Sequence, residues 1–251
     1  MNKISAYFLL FFAIGCTDKP AEPLVITKTI VKVPKDSVIP IVKSKADTSL
    51  FEKYLFSYGL TNVNDLDTSI KLSLKYSDTA NFLHICIYDT LTKALLPCAI
   101  ALRLCNVQYY LKHINPDLSL IIFDATRPLS KQKLMWDSLK MEPNYKYNYV
   151  SPPWDISLHN YGAAVDLSII DIKKNQLLDM GTSFDYFGKL AEPIYEYQFL
   201  KNKQLSDTAY KNRLLLRDIM KKAYFYSINS EWWHFNACNK DFAALTYTLI
   251  K

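Results

Sequence analysis

Two histidines in this chain stand near carboxylates at spacings that suit metal chemistry. In "HNYGAAVD", His159 precedes Asp166 by seven residues with Gly162 between them, and in "EWWH", Glu231 precedes His234 by three. A turn at Gly162 would bring His159 back toward the start of a strand bearing Asp166. A hydrolytic zinc ion takes three protein ligands of histidine or carboxylate type and keeps a fourth position for water. His159, Asp166 and His234 can supply the three. Glu231 can act as general base on a water whose pKa the metal brings to about 7. Each piece has a plainer reading, because His159 and Asp166 also suit the polar flanks of a strand, and EWWH suits a packed aromatic edge.

Other chemistries find less support. The helical HExxH of many zinc proteases is absent, and so is the GxSxG elbow that would make Ser157 a nucleophile. No CxxC pair offers a thiolate zinc site or a thioredoxin-like centre. His113 ends a helical pattern, where it can cap the last carbonyls. His84 lies in the strand-like run "NFLHICIY" and reads as a core or surface residue.

The elements that must position these residues follow from periodicity. Apolar residues at Ile100, Leu104, Val107 and Leu111 predict a helix over 97–113 that begins at Pro97. A turn at 115–117 leads into a buried strand, 118–125, which emerges at "DATRP", and Pro128 starts the next helix. Residues 141–156, with three prolines and four aromatics, predict a long irregular segment of the kind that carries function. A second strand spans 163–171. Asp207 then caps a helix over 207–223 whose apolar side holds Leu214, Leu215, Ile219 and Met220. Residues 226–236 have strand composition and precede a short terminal helix. Helices alternating with strands predict an α+β fold, with a small, mainly antiparallel sheet flanked by helices.

The N-terminus reads as an address. "MNKISAYFLLFFAIGC" has one lysine, then an apolar stretch too short to span a bilayer, then Gly15 and Cys16. It is similar to a bacterial lipoprotein signal over 1–15, with cleavage before a cysteine that becomes lipidated. A plain signal peptide, or a short anchor with an incidental cysteine, is the alternative. Residues 16–49, with four prolines among lysine, threonine and valine, predict an extended tether, with a possible edge strand in "LVITKTIVKV". The folded body is expected over 50–251. The expected location is therefore the bacterial cell envelope, on a membrane through acyl chains at Cys16. Without residues 1–15 the formal charge of +6 falls to +5, spread along the chain, so nucleic acid is not an expected partner. No protein partner is implied. Cys86, Cys98, Cys105 and Cys238 allow up to two disulfides or four free thiols.

In order and spacing, "KYSDTANF" (75–82), "DATRP" (124–128), "SLHNYGAAVDLSI" (157–169), "MGTSFD" (180–185), "NRLLLRDIMKKAYF" (212–225) and "EWWHF" (231–235) carry a resemblance. The chain resembles the D-alanyl-D-alanine dipeptidases, zinc peptidases of family M15, from about Leu72 to Phe235. The resemblance implies the zinc D,D-peptidase, hedgehog-like fold and one Zn2+ per chain on His159, Asp166 and His234. It implies Glu231 as catalytic base and Arg127 as the cation that stabilises the transition state, with a structural salt bridge to Asp124 as the plainer alternative for Arg127. Asp185 would bind the amino terminus of a D,D-dipeptide, or serve as a simple turn residue. Ser157 would contact the substrate carboxylate, and Tyr76 would line the site. The implied activity is hydrolysis of D-Ala-D-Ala or a related dipeptide, in turnover of peptidoglycan fragments. The alternatives are a D,D-carboxypeptidase acting on stem peptides and a non-catalytic wall-binding module. Thr126 stands where the family commonly has Tyr, and 141–156 and 186–206 diverge, which puts the shape of the pocket rim in question.

Overall fold

The structure is a computed structural model that describes residues 48–251 except 148. The expected leader, Cys16 and nearly all of the tether lie outside the described residues. Helix α1 (Leu50–Phe56) is the first described element, and a reciprocal capping box between Ser49 and Glu52 fixes its start. The next elements are β1 (Leu60–Asn62), α2 (Val63–Leu66), β2 (Lys71–Leu72) and β3 (Leu95–Pro97). Then come α3 (Cys98–Ile114), β4 (Leu118–Asp124), α4 (Leu129–Ser138) and the short α5 (Pro143–Lys146). A 3-10 turn, Leu158–Tyr161, leads into β5 (Ala164–Asp171) and β6 (Gln176–Leu177). The last stretch holds α6 (Glu196–Lys201), α7 (Asp207–Lys222), β7 (Tyr226–Ser227), β8 (His234–Asn236) and α8 (Lys240–Thr246).

The main sheet runs β2-β4-β5-β8-β7, with β6 paired to the end of β5. Only β2 and β4 are parallel, so the sheet is mainly antiparallel, as expected for this α+β chain. Strand β4 is buried at every residue, and β5 at all but its last. That pattern fits strands covered on both faces and explains their unbroken apolar runs. Helix α3 buries its predicted face of Ile100, Leu104, Val107 and Leu111. Gln108, buried in the same face, locks α3 to β4. Its amide nitrogen donates to Ser119 Oγ at 2.9 Å, and its oxygen accepts from the Leu120 N–H at 2.8 Å.

Four expectations are corrected. Residues 81–88 form turns rather than a strand, because Asn81 donates to the carbonyls of Lys75, Asp78 and Ile85 and winds the chain around itself. His84 is exposed there at φ +55°. Residues 226–236 split into β7 and β8, since Trp232 and Trp233 turn into the core between them. Ser206, not Asp207, caps α7, its hydroxyl accepting from the Ala209 N–H at 3.0 Å. The buried face of α7 is Ala209, Arg213, Leu216, Ile219 and Met220, while Leu214 and Leu215 are only half-buried. The open question of the thiols is also answered: all four described cysteines are free, with Cys86 and Cys98 exposed.

Replacing Gln108 with alanine leaves the Leu120 N–H buried without an acceptor. The expected loss is about 2–3 kcal/mol, read from chemical denaturation midpoints at unchanged slope.

Candidate metal centre and active site

One row of side chains crosses three strands. Asp124 on β4 pairs with Asp166 on β5, and Asp166 pairs with His234 on β8. Directly opposed residues in an antiparallel pair share a face, so all three side chains are offered to one side of the sheet. A register shift between Ile122 and Asp124 makes this possible. Ile122 faces Leu167, so regular pairing would set Phe123 opposite Asp166. The extra residue brings Asp124 there instead, which is how a bulge re-aims a side chain beside a site.

His159 joins the row from the 3-10 turn. Its Nε2 lies 3.2 Å from His234 Nδ1 and 3.4 Å from Asp166 Oδ2, and His234 Nδ1 lies 3.0 Å from Asp166 Oδ1. Tetrahedral zinc with bonds of about 2.0–2.2 Å sets its ligand atoms about 3.3 Å apart. The three donors therefore fit one ion. Both rings are oriented for it. His159 Nδ1 donates to the Ala125 carbonyl at 2.7 Å, and His234 Nε2 donates to Asn236 Oδ1 at 2.7 Å. Each of these bonds takes the ring's N–H and leaves the other nitrogen's lone pair facing the common point. Two lone pairs and a carboxylate then converge, an arrangement that demands a cation or a shared proton.

The turn is built to hold His159 there. Ser157 caps it, its Oγ accepting from the His159 N–H at 3.3 Å, while Asn160 Oδ1 accepts from the Ser157 N–H at 2.8 Å. Asn160 also donates to the Arg127 carbonyl, and the Arg127 N–H donates to the His159 carbonyl. The histidine turn and the DATRP loop are thus stitched together at both ends. Gly162 closes the turn at φ +64°, and a Cβ there would meet Thr126 Oγ1 at 2.6 Å and Pro97 Cδ at 2.7 Å. Glycine is required twice over, by conformation and by space.

The remaining expected residues line the same cavity of about 680 Å3: Arg127, Glu231, Asp185, Ser157 and Tyr76. Arg127 is buried and donates from Nε and Nη2 to Asp124 Oδ2 at 3.0 and 2.6 Å. Its Nη2 also comes within 3.7 Å of Asp166 Oδ2. The structural pair with Asp124 is thus present, and it leaves the guanidinium beside the carboxylate of Asp166. Glu231 Oε2 lies 4.0 Å from His234 Nδ1. Desolvation by the cavity walls pushes Glu231 above the usual carboxylate range, against the pull of His234. Asp185 sits at φ +57° and accepts from the Tyr76 hydroxyl at 3.0 and 3.1 Å. Burial, then repulsion from Asp166, raises its pKa well above normal. Asp166 goes the other way, because His159 and His234 outweigh its burial and hold it below the usual range.

Sequence reasoning missed the groups that orient these residues. Asn236, two residues past His234 on β8 and so on the same face, was legible from strand period. Tyr88, whose hydroxyl donates to Asp124 Oδ1 at 2.8 Å, gave no sequence signal. The Ala125 carbonyl gave none either.

Burial lowers the basicity of His234, but the hydrogen bond and charge of Asp166 outweigh it and hold the pKa up to about 8. A metal needs that nitrogen unprotonated. Affinity for a divalent metal should therefore fall as pH drops below about 8, by up to tenfold per unit, with proton release on binding. Competition with a chromophoric chelator across that range checks this, and an affinity that does not change with pH would contradict it.

Comparison with known proteins gives the chain's relatives. The family model described as Peptidase_M15, D-ala-D-ala dipeptidase, matches residues 57–249. The D-alanyl-D-alanine dipeptidase of Escherichia coli (strain K12) is 36% identical over 118 residues, which cover 47% of this chain and 54% of that protein. The chain thus spans about half the length of that relative. The D-alanyl-D-alanine dipeptidase of Synechocystis sp. is 27% identical over 178 residues, covering 59% of this chain and 71% of that one. That of Enterococcus faecalis is 26% identical over 160 residues, covering 57% and 73%. A solved structure of the LdcB LD-carboxypeptidase aligns at TM-score 0.35 and 18% identity over 64% of this chain and 70% of that one, too loosely to bear on function. With the family match extending over nearly the whole folded body, this chain belongs to the Peptidase_M15 family of D-Ala-D-Ala dipeptidases.

Proposed function

We propose that the protein is a zinc-dependent dipeptidase that hydrolyses D-Ala-D-Ala or a closely related D-amino-acid dipeptide. The observation that carries this reading is the convergence of His159, Asp166 and His234 at ligand spacing beside both Glu231 and Arg127. Binding alone would need neither of the last two. When bound, zinc supplies Lewis acidity, which lowers the pKa of a water toward 7 and polarises a peptide carbonyl.

The chain's own groups do the rest. Glu231 takes the proton of the attacking water and returns it to the leaving amine, a role suited to a carboxyl whose pKa is raised. Arg127, fixed by Asp124, turns its guanidinium toward the position where negative charge develops on the carbonyl oxygen. Losing one such donor costs about 10²–10³ in rate. Asp185 receives the substrate's ammonium, and Ser157 is placed to meet its carboxylate. Tyr76 holds Asp185 from behind and packs under Arg127, whose guanidinium carbon lies 5.4 Å from the ring centroid.

The cavity favours a free dipeptide over a longer stem. Burial and the charge of Asp166 disfavour a bare carboxylate at Asp185, and an arriving ammonium offsets both, so the amino terminus is read by charge. A stem peptide has an amide at that place and leaves Asp185 without a cation. The setting we propose is the bacterial cell envelope, with the chain anchored through a lipidated Cys16 and acting on peptidoglycan fragments. The leader sequence supports that setting.

Glu231→Gln is expected to keep its zinc yet lose about 10²–10⁴ in kcat on D-Ala-D-Ala, measured by alanine release. Full activity in that variant would overturn the mechanism. Asp185→Asn should raise KM and erase the preference for D-Ala-D-Ala over its N-acetylated form. Comparable turnover of a pentapeptide stem by the unaltered protein would favour the carboxypeptidase reading instead.

A further inference from the structure

Arg213 is 1% exposed in α7, does not line the cavity, and takes no part in the chemistry above. Its hydrogen bonds go to the two ends of one loop. Nε donates to the Met180 carbonyl at 2.7 Å, and Nη2 donates to the Leu190 carbonyl at 2.9 Å. Between those carbonyls run residues 181–189, which include Asp185, Tyr186, Phe187, Gly188 and Lys189, all of them on the cavity wall. The planar fork of one guanidinium thus holds the neck of the loop side by side, as no single-headed cation can. The loop's shape is of the kind whose ends are close and whose body carries function.

An ion pair between Arg213 and Glu196 also ties α7 to α6, but without a hydrogen bond. Glu196 Oε2 lies 3.8 Å from Arg213 Nη1, beyond hydrogen-bond range, and Glu196 is already taken by both terminal nitrogens of Arg217. Nη1 has no hydrogen-bond partner of its own. A buried cation with one nitrogen lacking a hydrogen bond is costly, and the hydrogen bonds it does make both go to the loop carbonyls. The loop is seated tightly on the same helix. Gly181 stands at φ +79°, and a Cβ there would collide with Leu205 Cδ1 and come within 3.3 Å of Ala209 Cβ. A second tie joins the loop to the EWWH segment, where Trp232 Nε1 donates to Thr182 Oγ1 at 2.8 Å.

We infer that Arg213 is a specificity-determining positioning residue, which clamps the 181–189 loop so that Asp185 meets the substrate's amino terminus. This rests on the reading of Asp185 given above, and the test separates the two. Chymotrypsin has its own sites inside the loop, at Tyr186 and Phe187, and cleavage there needs the loop to open. In Arg213→Met, cleavage at those sites should quicken by about tenfold or more, while cleavage at exposed Tyr224 keeps the rate of the unaltered protein. Unchanged loop cleavage, or an equal rise at both places, overturns the clamp whatever Asp185 does.

In the zinc-loaded enzyme, Arg213→Met should raise KM for D-Ala-D-Ala by about tenfold with kcat within about threefold. It should also narrow the preference over the N-acetylated dipeptide, and should add nothing to that preference in an Asp185→Asn background. A fall in kcat with the preference intact overturns the positioning role. Should Asp185→Asn alone leave the preference untouched, the reading of Asp185 fails while the cleavage result still decides the clamp. If Arg213→Met does not fold, Arg213→Lys, which keeps the charge without the fork, should show smaller changes in the same directions. Values matching the unaltered protein in Arg213→Lys would overturn the proposal.

Discussion

Two imidazole lone pairs and a carboxylate aimed at one point repel each other unless something positive sits between them. That repulsion is the condition on which the arrangement of the site depends. His159 and His234 each spend their one N–H outward, on the Ala125 carbonyl and the Asn236 side chain, and so face inward as acceptors. Asp166 stands between them at hydrogen-bond distance. Without a metal, a proton on His234 relieves the conflict, which is why that ring is held basic. The sheet then supplies rigidity, because Asp166 and His234 are a cross-strand pair and His159 is tied to the adjacent loop by Asn160 and Arg127.

The same conflict extends into the cavity. Asp124, Asp166, Asp185 and Glu231 crowd around a single guanidinium, that of Arg127. The protein settles the crowd unevenly. Asp124 is neutralised by Arg127, and Asp166 by its imidazoles. At Asp185 and Glu231 burial outweighs the pull of the nearby cations, and their pKa values rise. Groups whose environments push their pKa values apart divide into those that hold charge and those that exchange protons or ions. By that division Asp166 falls among the groups that hold charge, and Asp185 and Glu231 among those able to exchange a proton.

The parts of this plan that depend on short-range pattern were legible in sequence. The strand 163–171, the helix from Pro97 and the turn at Gly162 follow from periodicity and from the conformational freedom of glycine, and they emerge nearly as read. The three converging residues, His159, Asp166 and His234, were legible because a histidine turn before a strand and an EWWH segment are spaced for chemistry. What was hidden depends on pairing between distant segments. The bulge that sets Asp124 opposite Asp166 cannot be seen without the register of β4 and β5. Tyr88 reaches Asp124 from a segment that looks like a strand but is wound into turns by Asn81. Arg213 is hidden for a different reason: a charged residue on the buried face of α7 breaks the apolar pattern, which then favours Leu214 and Leu215. At Arg213 the departure from pattern was itself the signal.

Two imidazoles and a carboxylate meet at the crossing of β5, β8 and the histidine turn, and zinc K-edge X-ray absorption on the zinc-loaded protein would show whether they hold one ion. The expected spectrum is one zinc per chain in a shell of nitrogen and oxygen alone, with two imidazole scattering patterns, lost when Asp166 is replaced by alanine. Sulfur in the shell, or an unchanged spectrum in Asp166→Ala, would contradict it.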